Sequence, residues 1–247
     1  MDKKVFAENL KIRYSEMDLN LVLKPAVLLH FLQDMASDNA ENLGFGYSFI
    51  IKKNLAWFLL KYRMEFEDYP EKIYDLKLTT EPRGYNKIFA FRNFSIYDGE
   101  KLLGRASSTW SLVDINTKSI VPIGEALENN PGMPPYVKRE DDLVFEKIKP
   151  IEKVDAEKIF EIRYDDIDVN KHVNNANYIV WAFEPLNFDF RSSKKLKTLD
   201  MVFKKEVTYG CKVLSRVQIL ENTTTHVLKN AETGEDLCHI CAFWKDK

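Results

Sequence analysis

Residues 10–22 read LKIRYSEMDLNLV, and residues 160–172 read FEIRYDDIDVNKH. Laid over each other at an offset of 150, Ile12 meets Ile162, Arg13 meets Arg163, and Tyr14 meets Tyr164. Asp18 then meets Asp168 and Asn20 meets Asn170, while Glu16 over Asp166, Met17 over Ile167 and Leu19 over Val169 are mild changes. A second echo follows in the same order. Gly99-Glu100-Lys101-Leu102 runs toward Trp110, and Gly234-Glu235-Asp236-Leu237 runs toward Trp244. Two ordered matches, the second unit slightly shorter, indicate tandem duplication of one domain, whose copies should pack as a pseudo-dimer.

Between the copies, Val121 to Lys153 holds five of the nine prolines and the charged run Lys138-Arg139-Glu140-Asp141-Asp142. That composition suits an extended connector without regular structure. The reading is therefore a first unit over residues 1–120, a linker over 121–153 and a second unit over 154–247.

Each unit repeats one element order. A short alternating strand (Leu10, Ile12, Tyr14; Phe160, Ile162, Tyr164) leads into a polar loop and a helix. In the first unit Pro25 opens the helix, Val27, Leu28, Phe31, Leu32, Met35 and Leu43 form its stripe, and Gly44 ends it. In the second, Asn174 or Asn175 caps, Tyr178, Ile179 and Phe183 form the stripe, and Pro185 sets the limit. Strands follow. Leu60, Tyr62, Met64 and Phe66 alternate with Lys61, Arg63 and Glu65, Asn86–Tyr97 turns at Asp98-Gly99 into 104–113, and 201–207, 212–220, 224–229 and 237–244 repeat the theme. One long helix against an antiparallel sheet, twice over, is an α+β arrangement.

Composition removes several function classes. The chain has 247 residues, 45% hydrophobic and 13% aromatic, with 36 basic against 38 acidic side chains. A net charge of −2 supplies no global field for nucleic acid. Apolar runs such as Ala56-Trp57-Phe58-Leu59-Leu60 are far too short for a membrane span, and Met1-Asp2-Lys3-Lys4-Val5 opens no leader-like apolar core, so a cytoplasmic protein is expected. Cys238-His239-Ile240-Cys241 spells C-x-x-C, but within a strand its two thiols point to opposite faces, and no second Cys/His pair completes a metal site. Buried structural thiols are expected. There is no G-x-S-x-G, H-E-x-x-H, P-loop or G-x-G-x-x-G.

The stretch from Asp166 to Tyr178 can carry chemistry. Asp166, Asp168 and Asn170 begin a calcium-loop pattern, but Lys171 replaces its glycine and Asn177 its closing glutamate, so that reading fails. A bland polar turn needs no function. Against it stands His172, one of only four histidines, set among carboxylates and amides where an imidazole can exchange a proton near neutral pH. The first copy has Val22 at the matching position. The pair looks like one active and one degenerate half.

At Asp168-Val-Asn-Lys-His172-Val-Asn-Asn-Ala-Asn-Tyr-Ile-Val-Trp181 the sequence resembles the acyl-acyl-carrier-protein thioesterases, bacterial relatives of the plant chloroplast enzymes. Tyr62-Arg63-Met64-Glu65 and Asn93-Phe94 carry the likeness into the first half. The resemblance implies a tandem double hot-dog fold, the first unit non-catalytic and holding the acyl pocket near the 26–43 helix. It implies hydrolysis of the thioester between a fatty acyl chain and acyl carrier protein, ending fatty acid synthesis, with no cofactor and no metal. It places catalytic Asp, Asn, His and Glu on Asp168, Asn170, His172 and Glu206. The plant enzymes have a cysteine after that Glu; Val207 stands here, which excludes a Cys–His nucleophile at that site.

On this reading Glu206 or His172 deprotonates water, Asp168 orients the imidazole, Asn170 positions water or carbonyl, and N–H groups near Asn174 and Asn175 hold the oxyanion. An acyl-CoA thioesterase, a dehydratase or a non-catalytic acyl-binding module are the alternatives. Acyl carrier protein is the expected partner, a homodimer is compatible with the sequence, and Arg191, Lys194, Lys195 and Lys197 are the candidate basic patch for an acidic carrier.

Overall fold

A computed structural model describes residues 5–247. The leader-free start read in the sequence lies mostly outside them, at residues 1–4. Among the described residues eleven strands form one sheet: β1 (Phe6–Lys11), β2 (Leu55–Phe66), β3 (Asp75–Tyr85), β4 (Ala90–Asp98), β5 (Lys101–Asp114), β6 (Ile120–Val121), β7 (Ala156–Glu161), β8 (Lys194–Phe203), β9 (Lys212–Leu220), β10 (Thr223–Asn230) and β11 (Asp236–Asp246). Their order is β1-β3-β4-β5-β2-β8-β11-β10-β9-β7, with β6 on β5. The second half thus repeats the first as a mirror-ordered block, joined where β2 pairs antiparallel with β8. The helices are α1 (Pro25–Asn42), α2 (Tyr47–Ile50), α3 (Ile123–Ala126), α4 (Asn175–Phe183) and α5 (Phe188–Ser193). Helix α1 packs on β1 and β3, α4 packs on β9 and β10, and the two helices pack on each other. This is the α+β tandem double hot-dog, with one apolar core running through both halves.

The stripes act as expected. Leu28, Leu32 and Met35 of α1 are buried, Gly44 stops the chain with φ +79°, and the Asn174 side chain caps α4 by accepting from Ala176 N–H at 2.9 Å. Three local readings change. Tyr14 and Tyr164 leave the strand for a short 3₁₀ turn and are exposed, because the chain must bend there into the loop. A bulge between Leu59 and Lys61 reverses the alternation, so Leu59 rather than Leu60 faces the core above Tyr62, Met64 and Phe66. Strand β8 starts at Lys194 and ends at Phe203, so Glu206 lies in the loop after it.

The linker is more structured than its prolines suggest. It carries α3, and Ile123, Leu127 and Met133 fill a second apolar cluster with Phe45, Leu55 and Leu112. Asp142 then pins it, accepting from Arg83 Nη2 at 3.0 Å, Tyr136 Oη at 2.7 Å and Arg139 N–H at 2.7 Å. Burial and that carboxylate push the Tyr136 hydroxyl up to about 12. The stretch with the charged run 138–142 stays out of helix and strand, and it is held in place by Asp142.

Cys238 faces the core, where burial pushes its thiol up, and Cys241 points to the other face, as strand geometry requires. Among the described residues no helix is long and apolar enough to cross a membrane.

The duplicated loops share most of their backbone bonds. Asp18 N–H donates to Val22 O and Asp168 N–H to His172 O, both at 2.8 Å. Asn20 N–H reaches Asp18 Oδ1 at 2.8 Å, and Asn170 N–H reaches Asp168 Oδ1 at 2.8 Å. Leu21 and Lys171 both take left-handed backbone, φ 60° and 65°. Because Asp18 Oδ1 also accepts from Val22 N–H at 3.0 Å, Asp18→Ala should lower unfolding free energy by about 1–2 kcal/mol in denaturant titration.

His226 is fully buried on β10, bonded through Nε2 to Thr224 Oγ1 at 2.8 Å. Burial drives its pKa down to about 3, so the folded state holds it neutral while an unfolded chain protonates it near 6.5. The unfolded state then binds more protons below pH 6.5, and stability falls as pH drops through that value. Going from pH 7.5 to 5.5 should cost about 1.4 kcal/mol at this site. His226→Gln should flatten that part of the stability–pH curve; an unchanged slope would assign it to other groups.

Candidate active site

The second loop sits at the mouth of a cavity of about 510 Å³. Its chemical end holds Asp168, Asn170, His172 and Glu206, so all four residues singled out in the sequence line one space. Its far end is apolar: Ala36, Ala40, Phe45, Ile50 and Leu55 come from the first unit and Met133 from the linker. The dimensions suit a small-molecule site, and the apolar end suits a hydrocarbon.

Main-chain bonds bring Glu206 to His172. Val173 N–H donates to Val207 O at 2.9 Å, and Tyr178 Oη donates to Lys205 O at 3.4 Å. The residues flanking Glu206 are thereby tied to the loop and to α4. As a result His172 Nδ1 lies 3.3 Å from Glu206 Oε2, a contact distance without an aligned hydrogen bond. Burial raises the Glu206 carboxyl above the usual carboxylate range; His172 and Lys118 pull it back, and Asp168 adds to the rise. The carboxyl keeps 45% exposure, through the cavity it lines.

The allotment of roles shifts. The carboxylate against the imidazole is that of Glu206, whereas Asp168 spends its contacts on the loop backbone. Asp166, almost fully buried, anchors the loop's entry by pairing with Arg163 Nη2 at 2.7 Å and accepting Asn174 N–H at 2.9 Å. Around the start of α4, the N–H groups of Val173, Asn174, Ala176 and Asn177 are all engaged by described residues.

The basic patch also differs. Lys194 pairs with Asp246 at 2.7 Å, Lys195 with Glu71 at 2.7 Å, Lys197 lies 3.5 Å from Glu67, and Arg191 lies 3.4 Å from Glu184. These cations stand on α5 and β8 and are spent on neighbouring carboxylates, so they form no free positive face. Besides His172, the positive group that acts on Glu206 is Lys118, from the turn between β5 and β6 of the first unit.

Sequence reading missed the opposite wall. His30, Gln33, Asp34 and Ser37 of α1 line the same cavity. Burial lowers the His30 imidazole and raises the Asp34 carboxyl, and each group's charge partly offsets the other's shift. Their spacing of three and four places them on one helix face, a signal visible beside the apolar stripe. Arg92 also lines the cavity, buried and bonded to Asn39 Oδ1 at 2.7 Å and Thr80 Oγ1 at 3.0 Å, with burial bringing it down to about 10.

Comparison with known proteins agrees with this architecture. Residues 3–129 match the family model of the acyl-ACP thioesterase N-terminal domain, and residues 149–246 match that of the C-terminal domain. A palmitoyl-acyl carrier protein thioesterase of Arabidopsis thaliana is 26% identical over 96% of this chain and 59% of its own length. The chain thus spans about three-fifths of such plant relatives. A Lactobacillus plantarum structure assigned as an oleoyl thioesterase superposes with a TM-score of 0.87 at 25% identity, covering 98% of this chain and 96% of that one. A 12:0-ACP thioesterase from Umbellularia californica shares the fold with a TM-score of 0.85 at 20% identity, covering 98% of both chains. With both halves matched in order, this chain belongs to the acyl-ACP thioesterase family.

Proposed function

We propose that the chain hydrolyses the thioester of fatty acyl-acyl carrier protein in the cytoplasm, releasing free fatty acid and so ending chain elongation. The observation that carries this reading is the His172–Glu206 contact of 3.3 Å in a cavity whose far end is apolar. The acyl chain lies in the first unit (1–120), the linker (121–153) closes the far end through Met133, and the second unit (154–247) supplies the reacting groups.

The His172–Glu206 pair acts as one base. It takes a proton from water as the water oxygen bonds to the acyl carbon; the C–S bond then breaks and the proton passes to the departing pantetheine sulfur. Burial lifts the basicity of Glu206 toward the working pH, which favours that role over an ordinary surface carboxylate. The Asn170 amide faces the same space and orients the water or the carbonyl, while Asp168 keeps the loop in its left-handed turn.

Mass spectrometry of the products after incubation with acyl-carrier-protein and acyl-CoA panels tests the reaction. Free acid from carrier-protein substrates supports it; free acid from CoA esters alone makes it an acyl-CoA thioesterase; no acid from any thioester overturns it. Glu206→Gln and His172→Ala should each lower kcat by about 10²–10⁴-fold, and the double variant by little more than either, since groups acting as a unit are not additive. Near-normal turnover in a folded single variant removes that residue from the mechanism.

Lys118 gives a sign-specific check. Its positive charge holds the Glu206 carboxyl down, so Lys118→Ala should raise that carboxyl and protonate it at higher pH. The acid limb of the kcat/KM profile should therefore move to higher pH, with the alkaline limb in place. A limb that stays put would mean that Glu206 is not the titrating group.

A further inference from the structure

We infer that Gln33, on the helix of the first unit, donates its side-chain amide to the carbonyl oxygen of the thioester bound at His172 and Glu206. The inference rests on the hydrolytic reading above and adds a second unit's residue to it.

Gln33 lines the same cavity as the four site residues. Its Oε1 accepts from Asn175 Nδ2 at 3.4 Å, a link from α1 to the first residue of α4, three positions beyond His172. Its Nε2 is buried and has no hydrogen-bond partner among the described residues. A buried amide donor without an acceptor is costly and rare in a settled interior, and it makes sense where a ligand brings the acceptor. His172 Nδ1 is likewise buried without a hydrogen bond, so two unsatisfied polar atoms belong to one cavity wall and its opposite. Hydrolysis needs a donor where negative charge grows on the carbonyl oxygen, and an immobilised amide needs little rearrangement to serve.

The duplication supplies a built-in control. At the offset of 150, the residue equivalent to Gln33 is Phe183, which packs on His226 and Trp244 with ring centroids 5.4 and 4.9 Å away. The loop it would serve carries Val22 instead of His172, and that loop's Asn20 Nδ2 donates to Ser192 O of α5 at 3.1 Å. The imidazole, the facing amide and the open cavity occur together at one of the two loop–helix junctions between the units and are replaced together at the other.

Dodecanoyl-pantetheine is the probe. Gln33→Glu keeps the acceptor for Asn175 but loses the donor, and Gln33→Met loses both. Each should lower kcat by about 10²-fold with little change in KM or melting temperature, and Gln33→Met should leave the acid limb of the pH profile in place. In the slow Glu206→Gln background, the infrared stretch of the bound ¹³C-labelled thioester carbonyl should move to higher wavenumber when Gln33 is replaced, because a hydrogen bond to it is lost. Folded variants within threefold of the unaltered kcat, or a kcat loss with the carbonyl band unmoved, would overturn the donor role. If the unaltered chain hydrolyses no acyl thioester, the reaction itself falls, and the donor role with it; activity in the unaltered chain and in Gln33→Met alike overturns the donor role alone.

Discussion

Everything in this molecule hangs on the pairing of β2 with β8. Five residue pairs, from Lys61 with Val202 to Glu65 with Thr198, turn two half-sheets into one. In their middle Arg63 faces Asp200, and Nη1 bonds Oδ2 at 2.6 Å with both side chains buried. Burial raises the Asp200 carboxyl and Arg63 opposes that rise, as expected for a charge tolerated only because its partner is present. Such a pair adds little stability over well-packed apolar residues, but it resists misalignment. A one-residue slip would turn every side chain on the strand to the wrong face and leave two charges unmatched. The linker crosses the same seam on the outside: Glu146 lies 3.7 Å from Arg63, and Lys61 Nζ stands 5.8 Å from the Phe145 ring centre.

From that seam the site follows. Joining the half-sheets edge to edge lets α1 and α4 pack on each other, so the loop before α4 opens toward the first unit's helix. The loop's form comes from an aspartate that bonds its own backbone and a left-handed residue, features shared by both copies. What differs is what the loop presents. Main-chain ties between Val173 and Val207 bring a carboxylate to His172, whereas the matching position of the first copy holds Val22, which has no imidazole to pair.

Much of this was legible in the sequence because it rests on local rules. The helix stripes, the capping asparagine and most of the alternating strands reflect short-range rules and correspond to observed elements, and the offset of 150 corresponds to the mirrored halves of the sheet. The histidine and the carboxylate could be named from motif resemblance, although Glu206 was read into a strand that ends at Phe203. Strand β3 escaped notice because Pro82 and Gly84 interrupt its pattern at a bulge. The basic run after α4 read as a free surface because its partners, Glu67, Glu71 and Asp246, lie far off in sequence. The polar face of α1 was visible, but only the fold shows that it looks across a cavity at another unit's loop.

The two helices differ in length, 18 residues in α1 against 9 in α4. In a dimer of identical subunits, any change that widens one pocket is imposed on its symmetry mate, so the shared core loses packing twice. Fusion into one chain frees the halves from that bond. One side could lengthen its helix and hollow out space, while the other filled the equivalent volume with Phe183, Trp244 and α5. The packed second unit is the counterweight that keeps the molecule stable while the first stays hollow, so variation in pocket depth can accumulate in the apolar lining of the first unit without touching the chemistry at His172.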